Sequence, residues 1–377
     1  MPGSKTTYLG LGLTAALGIV GLVACGSDSS SDDTGSAGSS AAGAAGSAGS
    51  AGSGTGCADC KSPPDKPASG AQGDGSGQVF AIRSIDLGGN WEVEPDHWKS
   101  LGYDLDGRKT VVNSTDHCKL TDGAAAYVKV DGNNGIDNSF GQNILPQLPS
   151  DANASISDSI NKGDVTVLIQ IDKLGAGTDY VDLPAAIYAA GGLKDANGAA
   201  LTPKWDGTDE WSILQTSLAP GNQPLFVDDS AYVSGNVLVA HMPEGLPLTF
   251  TADGSLFEMA LARSVLALEL SADRQRVTLG TVNGTWYRTQ ALAAVDAYMA
   301  QAGLCSDNPI YVQGKKVIEN AADIRADLQD APQLPCNAVS VGIEISADRA
   351  NLGPAEAPPP PKPSQCGDAG AADAGTD

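Results

Sequence analysis

The chain is short of histidine, of basic residues, of aromatic side chains and of any long apolar run. Three histidines occur in 377 residues, His97, His117 and His241. They form no HxH or HExxH pair, which removes the zinc-hydrolase signatures. There is no GxSxG elbow, no Walker A sequence and no GxGxxG opening a helix after a strand. Ser159 to Lys162, SINK, matches SxxK, but no KTG box accompanies it. Lys and Arg number 22 against 45 Asp and Glu, for a formal charge of −23. That balance lacks the basic footprint of a nucleic-acid binder and opposes direct docking on anionic lipid. It suits solubility outside the cell. The most apolar stretch, Tyr8 to Val23, is short for a membrane span and broken by glycines.

That stretch fits a signal h-region instead. Lys5 and the amino terminus supply a positive n-region, and the apolar run ends in LVAC, Leu22 to Cys25. The arrangement resembles the lipobox of bacterial lipoproteins. The resemblance implies cleavage before the cysteine, acylation of Cys25 with several chains, and anchoring of the mature protein in a lipid bilayer. Gly26 stands where a sorting Asp would retain the protein, so the resemblance also implies the outer membrane, facing the periplasm or the cell surface.

Composition divides the rest. Residues 25–76 are rich in Gly, Ser and Ala and cannot bury enough apolar surface to offset the entropy of ordering, so they read as a flexible tether. Residues 354–377 read as a disordered tail with a polyproline stretch at Pro358 to Pro361. Residues 77–353 form one globular domain, after a signal peptide at 1–24. With Cys25 set aside, Cys57, Cys60, Cys118, Cys305, Cys336 and Cys366 remain. An even number in an exported chain points to disulfides, with 15 pairings open. Cys305 and Cys336 bracket one helical segment and are the expected pair. CADC at Cys57 to Cys60 lacks a following helix and a second ligand pair, which favours a structural disulfide over a redox or zinc motif.

Strand patterns dominate the domain. VTVLIQI, Val165 to Ile171, is apolar on both faces and suits a central strand. In AVSVGIEIS, Val339, Val341, Ile343 and Ile345 alternate with Ser340, Gly342, Glu344 and Ser346, the pattern of a half-buried strand. AAYVKV, Ala125 to Val130, reads as a further strand. Helical periodicity follows Asp151, Thr289 and Lys316. The expected fold is mainly β: a jelly-roll-like β-sandwich with a small helical pair near its C-terminal end.

Two groups of residues carry candidate chemistry. Asp104 and Asp106 in GYDLDG, with Asp131 and Asp137 in VDGNNGIDNSFG, offer hard oxygen ligands suited to calcium. The second segment fails the EF-hand template in either register. From Asp131, position 6 is Ile136 and position 12 is Gln142; with Gly135 at position 6, position 1 is Val130. The same residues also read as a tight turn at Asn134-Gly135, an Asn138 cap on a short helix, and apolar plugs at Ile136 and Phe140. In WDGTDEW, Trp205 and Trp211 flank an acidic turn and offer a stacking surface for a sugar ring, or core aromatics.

GYDLDG, GIDNSFG, WDGTD and CNAVSVGIEIS, spread from Gly102 to Ser346, together with the lipobox and tether, resemble uncharacterised lipoproteins of myxobacteria. That resemblance implies a location and no activity. The expected function is that of an exported, membrane-anchored lipoprotein with a non-enzymatic binding or envelope-structural role and a glycan or envelope partner. The alternative is a carbohydrate-active hydrolase or carbohydrate-binding module on a β-sandwich.

Overall fold

A computed structural model describes residues 57–366, apart from 90, 149–151, 243–245, 253–254, 330 and 361. Cys25 and its lipobox lie outside the described residues. Thirteen strands and three α-helices follow in chain order: β1 Gln78–Asp86, α1 Ala152–Lys162, β2 Thr166–Ile171, β3 Tyr180–Leu193, β4 Glu210–Leu214, β5 Leu218–Ala219, β6 Gln223–Pro224, β7 Phe226–Ser234, β8 Val237–Met242, β9 Leu246–Ala252, β10 Ser255–Leu270, β11 Arg276–Tyr287, α2 Arg288–Gln301, α3 Pro309–Asn320, β12 Ala338–Arg349 and β13 Asn351–Glu356.

Eight of these strands pair antiparallel in a closed ring, β1-β2-β3-β7-β8-β10-β11-β12 and back to β1. The expected sandwich is therefore wrong: the sheet is a β-barrel. Alternating strands look the same in both architectures, and what separates them is pairing between distant segments. Here β3 turns from β2 to β7, and β12 pairs with β1 at one edge and β11 at the other. Register breaks at Ile82/Ser84 in β1, Ala262/Val265 in β10 and Val277/Gly280 in β11 bend the long strands enough to close. An eight-stranded barrel has an interior that side chains can fill. This one is filled by Phe80, Ile169, Ile187, Val233, Leu268 and Ile343 among others.

The reading of VTVLIQI as central holds, since β2 lies between β1 and β3 and is buried on both faces. Outside β2 and β3, β4 and β13 add a second layer over Leu168, Tyr188 and Trp211. Residues 57–76, part of the expected tether, are packed on the barrel. Ala71 bridges to Tyr180, and Asp74 accepts the Tyr180 hydroxyl at 2.6 Å. Likewise β13 and Cys366 extend the packed chain past residue 353.

The helices differ from their periodicity in instructive ways. α1 ends at Gly163, whose positive φ of 84° turns the following Asp164 amide back to the Ser159 carbonyl at 3.0 Å, and it buries Ile156 and Ile160. Its expected cap Asp151 lies outside the described residues. Thr289 sits inside α2 instead of capping it. α3 begins earlier than its apolar pattern, where Asn308 accepts the Ile310 amide at 2.9 Å, and it ends at Asn320. Ile324 and Leu328 are therefore not on that helix. Ile324 forms a bridge to Ala338 instead. AAYVKV is not a strand either: Ala126–Lys129 form a 3-10 turn.

Three disulfides staple the fold. They join Cys57 to Cys60, Cys118 to Cys336 and Cys305 to Cys366. The expected Cys305–Cys336 bond is wrong. The bracketed helix made the two cysteines look local, but Cys336 lies beside Cys118 in a small buried cluster with Ala322.

Candidate metal centre

Between β1 and α1 the chain runs about sixty residues in turns and 3-10 segments, and much of it lies on the outer face of β11 and β12. That face is the polar side of AVSVGIEIS. It was expected to meet solvent, yet Ser340 and Gly342 are both buried. Asn138, 2 % exposed, pins the insertion there. Its Oδ1 accepts the amides of Gly342 and Gly141, and its Nδ2 donates to the carbonyls of Leu101 and Gly342. Asn283 does the same from β11, accepting the Tyr103 amide at 2.8 Å and donating to the Asp137 carbonyl at 3.3 Å. The approach is so close that a Cβ at Gly342 would collide with the Leu101 carbonyl.

These anchors bring GYDLDG and VDGNNGIDNSFG together. Leu105 N donates to Asp137 Oδ2 at 2.6 Å, and Asp137 N donates to the Tyr103 carbonyl at 3.1 Å. Thr110 N donates to an Asp131 carboxylate oxygen, and Asp131 N to the Thr110 carbonyl. Asp104 Oδ1 accepts the Gly107 amide at 2.8 Å, and Asp106 Oδ1 the Arg108 amide at 2.9 Å. One carboxylate oxygen from each of Asp104, Asp106 and Asp137 lies within 4.8 Å of the others. Asp137 is 5 % exposed.

The local reading of the second segment stands beside this one. Asn134 and Gly135 both have positive φ, 54° and 75°. Asn138 accepts the Gly141 amide at the start of a short helical turn, and Ile136 and Phe140 are buried beneath. The turn, the cap and the plugs are what carry the aspartates to their positions.

Electrostatics marks the cluster as unstable with every member ionised. Burial pushes Asp131 up to about 8, and the charges of Asp106, Asp323 and Asp104 add to it against the Thr110 amide. Burial, then Asp106 and Asp131, hold Asp137 well above the usual carboxylate range. Asp104 is raised by burial, with the Gly107 and Arg108 amides opposing. Carboxylates so close either share protons or bind a cation. The donor set is all oxygen, which selects a hard ion; calcium accepts six to eight such ligands in flexible geometry and fits a turn-borne set better than magnesium.

The tryptophans are placed otherwise. Trp211 is fully buried on β4, and Trp205 is half-buried, 6.0 Å from it centroid to centroid, with Arg83 over its ring at 5.7 Å. They are core aromatics, so the sugar-stacking surface expected of this pair is not formed. His241 is exposed on β8. Sequence reasoning missed Asn138 and Asn283 as the residues that assemble the centre; only their burial in a polar cluster identifies them.

A groove of about 550 Å³ lies elsewhere, lined by Gly191, Leu193, Phe226, Met259 and the Lys194–Glu356 pair. Those two side chains meet at 2.8 Å. Its floor of small residues and its paired rim define no catalytic set.

Fold and cluster together define a disulfide-stapled β-barrel carrying on its outer wall an aspartate cluster in which Asp137 is buried and Asp104 and Asp106 are half-buried. No family model matches the chain, and neither a curated protein nor a solved structure matches it.

Proposed function

We propose that this is an exported, lipid-anchored envelope protein whose barrel acts as a calcium-stabilised binding or structural module. The observation that carries the calcium reading is the convergence of Asp104, Asp106 and Asp137 from two segments, one carboxylate oxygen of each within 4.8 Å of the others and that of Asp137 buried. Asp104, Asp106 and Asp137 would hold the ion, and the ion would offset charge that otherwise keeps protons on the cluster; Asp131, whose carboxylate accepts the Thr110 amide, is not one of the three. The three disulfides support an oxidising compartment. The lipobox supports anchoring through Cys25, with the outer membrane as the site.

Two experiments test it. Titration calorimetry of the EDTA-stripped chain with calcium should show binding that an Asp104→Asn/Asp106→Asn variant weakens by at least tenfold. Absence of heat and of any thermal shift sinks the metal. Palmitate labelling in a bacterial host should vanish in Cys25→Ala; unchanged labelling sinks the anchor.

A further inference from the structure

Strand β3 changes partner partway along its length. β2 covers one of its edges from Ala185 to Ala190. On the other edge β7 pairs with it as far as Ile187, opposite Phe226, and β4 takes over at Ala190, opposite Ile213. The Ala189 amide falls in the gap between these two partners, where the Ser217 hydroxyl oxygen accepts it at 2.8 Å. The groove of about 550 Å³ opens at this gap, within the range of about 300–1,000 Å³ usual for small-molecule sites. Leu214, Phe226, Leu248 and Met259 give it apolar walls. Pro358 and Pro359 line its rim, where they present rings and no amide. Glu356 holds this rim in place, seated so closely on Gly191 that a Cβ there would collide with its carboxylate.

We infer that this groove binds an uncharged apolar molecule through a carbonyl or ester oxygen, with Ser217 as the donor that orients it. The site goes beyond the calcium reading and requires neither the cation nor the anchor. Ser217 is 1 % exposed and lines the groove. Its oxygen takes the Ala189 amide, and among the described residues nothing accepts its own proton. A buried donor without an acceptor costs free energy that a ligand oxygen recovers. Charge narrows the class further. The ionisable side chains on the groove are Asp164, Glu356 and Lys194, two carboxylates to one ammonium. Lys194 is already paired with Glu356 at 2.8 Å, so a carboxylate ligand finds no cation to meet it. Asp164 is exposed and solvated, and a cationic ligand would leave the Ser217 proton as it is. Apolar walls with one oriented donor suit a neutral ketone or ester.

The test is fluorescence titration of the uncharged ketone dye Prodan into the full chain carrying Cys25→Ala, free of detergent. Its emission should shift to the blue and saturate at a single dye per chain. Methyl octanoate should displace it, and octanoate should need at least a tenfold higher concentration. Ala260→Trp fills the groove from an exposed position and should abolish dye binding with the melting midpoint unchanged. Ser217→Ala should weaken Prodan and methyl octanoate about three- to tenfold and leave the affinity of octane, read by displacement, unchanged. No blue shift, or a shift that Ala260→Trp leaves in place, overturns the site. Octanoate displacing the dye as well as its methyl ester does overturns the ligand class. An equal loss of octane affinity in Ser217→Ala overturns the role of the hydroxyl.

Discussion

Raising the pH of the cation-free protein from 5 to 7 should destabilise it, the reverse of what an acidic protein with paired surface carboxylates does on leaving acid. Asp131 has a folded pKa of about 8 against an ordinary value of 3.8. Below the lower value both folded and unfolded chains hold the proton. Between the two values the folded chain keeps a proton that the unfolded chain releases, so stability falls as pH rises through that window. One such group costs about 1.4 kcal/mol per pH unit, or about 2.7 kcal/mol over two units. Asp137 is displaced in the same direction, by burial first and then by the charges of Asp106 and Asp131. At about 2–4 °C per kcal/mol, the melting midpoint in EDTA should drop roughly 5–10 °C between pH 5 and pH 7. Calcium needs the ionised carboxylates and should reverse the trend. At a hundredfold excess over its Kd it adds about 2.7 kcal/mol, with the larger gain at the higher pH. Differential scanning calorimetry at pH 5, 6 and 7, with calcium or EDTA, measures this directly. A midpoint in EDTA that is flat or rises with pH would refute the reasoning about the cluster, whether or not calcium shifts it.

Other outcomes follow from the same geometry. The Cys118–Cys336 bond spans 218 positions of sequence and has both cysteines fully buried. Replacing both by Ser should cost about 5 kcal/mol by loop entropy. Under mild dithiol treatment of the native protein, mass spectrometry after alkylation should find the half-exposed Cys57–Cys60 and Cys305–Cys366 opened first; prior loss of Cys118–Cys336 would contradict its placement. Gly342→Ala puts a methyl against the Leu101 carbonyl. It should cost about 1–3 kcal/mol in urea unfolding and lower calcium affinity with it, because the same contact seats the aspartate loops. A neutral substitution there would mean that the insertion does not lie on β12 as described.

The local features of the centre were legible in the sequence because they depend on neighbours along the chain. Asn134-Gly135 turns with positive φ, Asn138 caps, and Ile136 and Phe140 point inward; each is decided within a few residues. The alternation in β12 was legible for the same reason, since a strand turns every second side chain to one face. The disulfide partner of Cys336 was not legible. Cys118 is 218 positions away, and no local pattern encodes that contact. Trp211 was ambiguous for a related reason. A tryptophan beside an acidic turn has one sequence whether apolar neighbours from other strands cover it or solvent does.

By itself, the sequence determined the acidic balance, the strand-rich chain and four aspartates of the right chemistry. Those follow from composition and short-range spacing. Only the tertiary structure decided that the strands close into a barrel, that the polar face of β12 is buried by the insertion, and that Asp104 and Asp106 meet Asp137. Closure depends on hydrogen-bond pairing between strands far apart in sequence, and the aspartate centre depends on Asn138 and Asn283 seating two loops on that closed wall. A pattern repeating every two residues states which face a side chain takes, and leaves open what lies against it.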